Sequence, residues 1–417
     1  MRHSLADPAM AGALPTVPVP RPYGMDPAAE FLQLHREPVV ELRRRSGGTM
    51  WLVTRVEDAR RILTDPTVLV TPPGGGGSRY GLSPLVTQSL FALDGPAHSR
   101  LRRLVSSAFS ARRLAALRPR VQRLTDELLD AMAAARPPVD LRPHLSTALP
   151  VGVICELLGI PLEEGPSLTR WVDAALMAST EHDPDGAWRG WEQLCAYLGE
   201  RLAGKRRQPG EDLLSDLAAA QDSRPDLSEE ELVGLAAVMM VAGRETTSVV
   251  IEYGLVGLLR HRDQFAALAR SPELVPDAVE EILRYYPPTA GDAGTVRFAT
   301  ADITVGDTVI PAGSVIMISF RAVPDAGQLD SLARLDVHRG GTPNLIFGHG
   351  PHHCLGAALA RMELETVFRE VPARFPDLRL AVPVEALRPR LHVVTGGIEE
   401  IPLTWGTETW GPEPAGG

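Results

Sequence analysis

One stretch constrains this chain more than any other: Phe347-Gly348-His349-Gly350-Pro351-His352-His353-Cys354-Leu355-Gly356, which runs directly into the helical sequence Ala357 to Val371. Glycines and a proline shape a tight loop, and the cysteine stands where a helix begins. Backbone N–H groups and the helix dipole stabilise a thiolate at such a position, and the glycines leave space for a flat cofactor to approach the backbone. Two other readings fit the same residues. One is a small, packed cysteine, the common fate of a lone one. The other is a zinc site drawing on His349, His352, His353 and Cys354, although ligands this close in sequence seldom converge on one tetrahedron.

The rest of the chain sets the class of molecule in which this loop works. Its 417 residues are 44% hydrophobic and 23% charged, which suits a globular protein with a large core and excludes disorder throughout. No long polar linker divides the middle, so one large domain is expected. A formal net charge of −10 argues against a general nucleic-acid or anionic-membrane binder, which needs excess Lys and Arg to neutralise phosphates. The three cysteines, Cys155, Cys195 and Cys354, form no close pair, and a reducing cytoplasm fits them best. The first 24 residues are rich in Pro and Ala and lack the basic start and apolar run of a signal or anchor. A soluble, monomeric, cytoplasmic protein is the expectation.

Three segments read as irregular: residues 1–25, the stretch 72–83 with its four consecutive glycines, and the tail 411–417. The domain is therefore expected over residues 25–410, between a flexible segment 1–24 and a flexible tail 411–417. Helical spacing of apolar residues dominates, in Val105 to Leu129, Val151 to Leu158, Leu194 to Leu202 and Leu232 to Leu259. Strand signals are short: Met50 to Thr54, Ile303 to Val305 and Thr308 to Ile310 around Gly306-Asp307, and Val315 to Phe320. The expected fold is mainly α with small β-sheets. The apolar run from Leu232 to Gly243 is broken by Arg244 and Glu245 before it spans a bilayer, and reads as a buried core helix.

The cysteine loop resembles the haem-binding signature of the cytochrome P450 family: Phe, two residues, Gly, three residues, Cys, one residue, Gly. Phe347, Gly350, Cys354 and Gly356 match every fixed position, and the resemblance runs from about Trp51 to Trp405. A thiolate pushes electron density onto haem iron and favours O–O cleavage. The resemblance implies the single-domain P450 fold, with haem b between an oxygen-binding helix and the helix after the cysteine loop. It implies Cys354 as the iron ligand, Phe347 packed near its sulfur, and His352 at a propionate.

Four separate motifs carry the same resemblance. Glu281-Ile282-Leu283-Arg284 matches the family's ExxR, and Leu335 to Arg339 the segment supplying a second arginine. Glu281, Arg284 and Arg339 would form a buried scaffold. Ala242-Gly243-Arg244-Glu245-Thr246-Thr247 matches the oxygen-binding pattern; a mid-helix glycine costs about 1 kcal/mol, which room for dioxygen above Ala242 and Gly243 would offset. Thr246 then offers a hydroxyl to bound oxygen, and Glu245 relays solvent protons. In Asp94-Gly95-Pro96-Ala97-His98-Ser99-Arg100-Leu101-Arg102-Arg103, Asp94 and Pro96 form a helix start, and His98 and Arg102 share a face suited to propionates. Arg297, placed after Tyr285-Tyr286-Pro287-Pro288, matches a further propionate-binding arginine.

Departures exist. Val323-Pro324-Asp325 replaces the family's Asn-Arg-Asp, and Arg244 takes the variable place in the oxygen motif, where its charge is expected to face away from the haem. The resemblance implies a monooxygenase of small, uncharged organic compounds, in the manner of secondary-metabolite tailoring. No flavin or nicotinamide fingerprint is present, so electrons come from ferredoxin and ferredoxin reductase, with Arg100, Arg103, Arg112 and Arg113 as docking candidates. Family position assigns the pocket to Tyr80 to Leu90, Leu168 to Ser179, Met239, Met240, Pro288 to Val296 and Thr395 to Ile398. Peroxide-driven oxidation and non-catalytic haem sensing are the competing readings.

Overall fold

The computed structural model describes residues 14–406, apart from 18, 46, 74–89, 178–183, 225, 290, 341–343 and 392. The glycine-rich stretch, most of the pocket segment 80–90 and the tail lie outside the described residues. Along the chain run β1 (Thr16–Val17), α1 (Ala29–Leu34), β2 (Val39–Arg44), β3 (Thr49–Arg55), α2 (Val56–Thr64) and β4 (Val68–Leu69). A mostly helical section follows: α3 (Gly95–Ser106), α4 (Ala111–Ala134), β5 (Val139–Asp140), α5 (Ala148–Leu158), α6 (Gly165–Met177), α7 (Pro184–Arg207), α8 (Leu213–Ser223), α9 (Glu229–Arg260), α10 (Arg262–Arg270) and α11 (Val275–Tyr285). The last part holds β6 (Gly294–Ala299), β7 (Ile303–Val305), β8 (Thr308–Ile310), β9 (Val315–Val323), α12 (Leu329–Leu332), α13 (Ala357–Arg374), β10 (Arg379–Leu380) and β11 (Pro402–Thr404).

Helix α9 organises the helical body. Ser228 accepts from the Glu231 backbone and Glu231 reaches back to Ser228, a capping box that satisfies two otherwise orphaned N–H groups. Three glutamates in its first turn and Arg260 in its last complement the dipole. Nearly every side chain from Leu232 to Leu259 is buried, so a helix long and apolar enough for a bilayer is here the centre of the core. Helices α5, α7 and α13 pack around it. The apolar stretch Val105 to Leu129 is two helices, because the chain turns through Ser107–Phe109 and extends at Ser110.

A six-stranded sheet in the order β1-β2-β3-β9-β6-β4 lies beside this body; β3 and β9 run parallel, and β6 is antiparallel to β9 with Arg297 opposite Ile316. Strand β9 extends three residues past the expected Phe320 to Val323. Where the family motif is replaced, Asp325 Oδ1 accepts from the Gly327 N–H at 2.7 Å and closes a short turn.

The amino-terminal boundary needs correction. The segment expected to be flexible up to residue 24 is tied down from Thr16, where β1 pairs in parallel with β2. Arg21 is buried and donates to Asp292 Oδ1 at 3.2 Å, to the Pro287 carbonyl at 3.0 Å and to Thr289 Oγ1 at 2.7 Å. A buried carboxylate demands a partner, and Arg21 supplies one. The folded body therefore begins before Met25.

Candidate active site

The cysteine loop is built by its glycines. Gly348 and Gly350 adopt φ of +69° and +71°, a region that L side chains rarely enter. A Cβ on Gly350 would lie 2.9 Å from the Leu63 carbonyl oxygen at the end of α2. The Cys354 N–H donates to the Phe347 carbonyl at 2.7 Å, folding the loop back on itself, and Gly356 occupies the N-cap position of α13. The Phe347 ring lies under the Arg361 guanidinium, 4.4 Å from centroid to carbon.

Cys354 is accessible to solvent, yet desolvation is the largest influence on its thiol and pushes it upward. The Gly356 and Ala357 N–H groups, Arg102 and Arg361 act in the opposite direction and favour the thiolate. Among the described residues, no three His, Cys, Asp or Glu side chains come together to hold a metal ion, so the arrangement of the loop lends the zinc reading no support.

Around this cysteine the predicted residues converge from three elements. The rings of His98 on α3 and His352 on the loop lie 4.1 Å apart, centroid to centroid. Arg102, one turn beyond His98, donates to the His353 carbonyl at 2.5 Å. Arg297 on β6 donates to Thr295 Oγ1 and the Val296 carbonyl, both at 2.8 Å; desolvation lowers its pKa, and no carboxylate among the described residues is within ion-pair distance. Asp94 precedes α3 but does not cap it. One of its oxygens is 3.0 Å from His352 Nε2, and the other accepts from the Val70 N–H at 2.9 Å. Sequence reasoning gave Asp94 only the helix-start role, since nothing local signals the contact with His352.

The oxygen motif on α9 is partly rearranged. Ala242 and Thr246 are half-buried, and the Thr246 hydroxyl donates to the Ala242 carbonyl at 2.9 Å, leaving its oxygen free to accept. Gly243 corrects the expectation that it opens room for a ligand: its missing side chain faces Ile154 of α5, whose Cδ1 would lie 3.0 Å from an added Cβ. Its smallness serves the close approach of two helices.

Glu245 is buried among partners that sequence reasoning did not find. Its Oε1 accepts from Arg390 Nη1 at 3.0 Å and lies 3.4 Å from Thr395 Oγ1, and its Oε2 is 3.2 Å from Arg244 Nη2. Arg244, fully buried, donates to Asp173 of α6 at 2.6 Å. Arg390 belongs to a turn closed by a bridge between Pro389 and Ile398. Of the other assigned pocket residues, Met240 is wholly buried in the core and Met239 nearly so, while residues 80–89, 178, 179 and 290 lie outside the described set.

Behind the loop, the expected scaffold is present. Arg284 donates to Glu281 through two bonds, and Arg339 Nε lies 3.4 Å from Glu281 Oε1.

Residues 192–325 match the family described as cytochrome P450. The chain is 39% identical, over 94% of its length and 99% of the relative's, to a cytochrome P450 BJ-1 homolog of Sinorhizobium fredii. The chain belongs to the cytochrome P450 family. This P450 is also 38% identical to mycinamicin IV hydroxylase/epoxidase of Micromonospora griseorubida, over 92% of this chain and 96% of that one. Among solved structures, it resembles the putative thioether synthase SgvP involved in griseoviridin tailoring, with a TM-score of 0.86, 34% identity, and coverage of 94% of this chain and 100% of the other. As a P450 it is a monooxygenase, an oxidoreductase of the haem-thiolate class.

The residues present fit that cofactor. An accessible sulfur offers one thiolate, and Arg297, desolvated and with no ion-pair partner among the described residues although Asp94 acts on it from farther off, has charge left for an acidic group such as a propionate.

Proposed function

We propose that Cys354 is the axial ligand of haem b, and that this chain oxidises a small, uncharged organic compound in secondary metabolism. The observation that supports it best is the reachable, crowded Cys354 sulfur, flanked by helix-start N–H groups and by Arg102 and Arg361. Bound there, the haem supplies dioxygen reduction and oxidation of the substrate. Gly350 and Gly356 let the backbone approach the cofactor, and Phe347 shields the sulfur. His98, Arg102, Arg297 and His352 hold the propionates by charge and hydrogen bonding. Ala242 keeps the oxygen side narrow but open. Thr246 accepts a hydrogen bond there and, on releasing the Ala242 carbonyl, donates one; Glu245 passes solvent protons inward.

Relatives named as hydroxylases, epoxidases and a pentalenolactone synthase support a tailoring role for this chain, with hydroxylation, epoxidation or oxidative coupling as the reaction. Electrons would reach it in the cytoplasm from ferredoxin and ferredoxin reductase. Of the four arginines expected at that docking face, Arg100 is paired with Glu231 and Arg113 with Asp216, which leaves the exposed Arg103 and Arg112 as the better candidates.

A carbon-monoxide difference spectrum of the reduced protein tests the ligand. A thiolate-type band is expected, and it should vanish in Cys354→Ala. Its persistence in that variant overturns the assignment. Product formed with ferredoxin, reductase and NADPH, against peroxide alone, tests the monooxygenase route.

A further inference from the structure

Four side chains from three elements close a ring. Asp173 of α6 takes Arg244 Nη2 at 2.6 Å; Arg244 Nη2 is also 3.2 Å from Glu245 Oε2; Glu245 Oε1 takes Arg390 Nη1 at 3.0 Å; and Arg390 Nη2 returns to within 3.8 Å of Asp173 Oδ1. Two guanidiniums thus face two carboxylates. Glu245, Arg244 and Arg390 are buried, whereas the Asp173 side chain is 37% exposed, so one corner of the ring reaches the surface through α6. Ions held this deep depend on one another, because removing one leaves the others without compensation.

We propose that Asp173 is a positioning residue that makes Glu245 available for proton transfer by competing with it for Arg244 and Arg390. The inference rests on the reading of Glu245 as the proton carrier. With Asp173 in place, each guanidinium is shared. Without it, both cations fall on Glu245 alone, and protonating that carboxylate becomes harder. Seating of α6 against α9 is thereby linked to proton supply, since Asp173 is the only member of the ring that α6 contributes. The other charged groups near Glu245 are Glu252, two turns along α9, and Arg142, which is 3.6 Å from Glu252. Glu252 acts on Glu245 and Arg390 from the α9 side of the ring, and neither it nor Arg142 belongs to α6.

The test uses the haem-loaded protein with a surrogate ferredoxin, its reductase and NADPH, without added substrate. NADPH oxidation, which reduces dioxygen to peroxide, is followed against pH in H2O and D2O. Asp173→Asn should move the alkaline fall in rate to lower pH by about one unit, the low end of a neighbouring charge's effect, and enlarge the solvent isotope effect. Arg244→Gln should move it to higher pH, and the double variant should lie between them. Opposite shifts are the signature, because mere structural damage moves both variants the same way. Amide hydrogen exchange of residues 165–177 in the resting protein should rise at least several-fold in Asp173→Asn.

If Asp173→Asn matches the parent in rate and isotope effect while Glu245→Gln slows oxidation, the role of Asp173 falls and that of Glu245 stands. If Glu245→Gln is also without effect, both fall. Asp173→Asn is isosteric and at the surface, so it decides the matter alone should Arg244→Gln not bind haem.

Discussion

Glu281 and Arg284, one turn apart on α11, are joined by two hydrogen bonds of 2.7 Å each, and both side chains are buried. Exposed pairs at this spacing contribute well under about 1 kcal/mol. This one differs because Glu281 also accepts from the Asp336 N–H at 3.0 Å, and Arg284 also reaches the Ser331 and Arg334 carbonyls. Glu281→Ala strands a buried guanidinium and should cost about 3–5 kcal/mol in urea unfolding. A loss under about 1 kcal/mol would show the pair to be dispensable.

Gly350 and Gly95 separate two costs of a side chain at positive φ. Both have left-handed backbones, but a Cβ at Gly95 meets nothing within 4 Å, whereas one at Gly350 meets Leu63 and Thr64 at 2.9 Å. Gly95→Ala should lose about 1 kcal/mol through backbone conformation alone. Gly350→Ala should lose more, in the range of about 1–3 kcal/mol, and bind haem more weakly. Thermal unfolding and haem titration compare them, and equal losses would show that packing at the loop contributes nothing.

Glu252 gives stability a pH dependence of definite sign. Burial pushes its carboxyl up to about 7, against the pull of Arg142 and the Ile398 N–H. An acid whose folded pKa lies above its unfolded value stabilises fully below the unfolded value of 4.5, and that stabilisation is lost as pH rises through about 7. Glu252→Gln does not titrate, so parent stability relative to the variant should fall by an amount on the order of 3 kcal/mol across that window. Parallel stability curves for the two proteins would refute this.

Thr246→Ala should leave folding nearly unchanged, since it removes only a hydroxyl bonded back to Ala242, but should raise peroxide formed per NADPH several-fold. Thr246→Ser, which keeps the hydroxyl, should restore most of the coupling. Equal peroxide yields from Ala, Ser and Thr at this position would remove the hydroxyl from the reaction.

What the sequence discloses here is largely local. Apolar spacing from Leu232 to Leu259 marks the body of α9, Gly306-Asp307 marks the β7–β8 turn, and the spacing of Phe347, Gly350, Cys354 and Gly356 picks out the loop. What it hides depends on partners distant in the chain. Strand β2 carries no clean alternation, with Val39 and Leu42 buried and intermediate residues between them, and β1 is two residues flanked by prolines. Asp94 looks like a helix cap until His352 is beside it. Glu245 looks like a free acid on an apolar helix until Arg390 closes over it from the far end of the chain.

The turn from Pro389 to Ile398 faces two ways. Leu391 and Val394 are exposed on it, while Arg390, Thr395 and Gly397 behind them press on Glu245 and Glu252. If Thr395 to Ile398 line the substrate pocket as their family position implies, grafting the whole turn from a relative to alter substrate choice would also rewire acid–base groups on the central helix. Catalysts engineered that way should trade new selectivity for wasted reductant, whereas changes confined to Leu391 and Val394 should escape the trade-off.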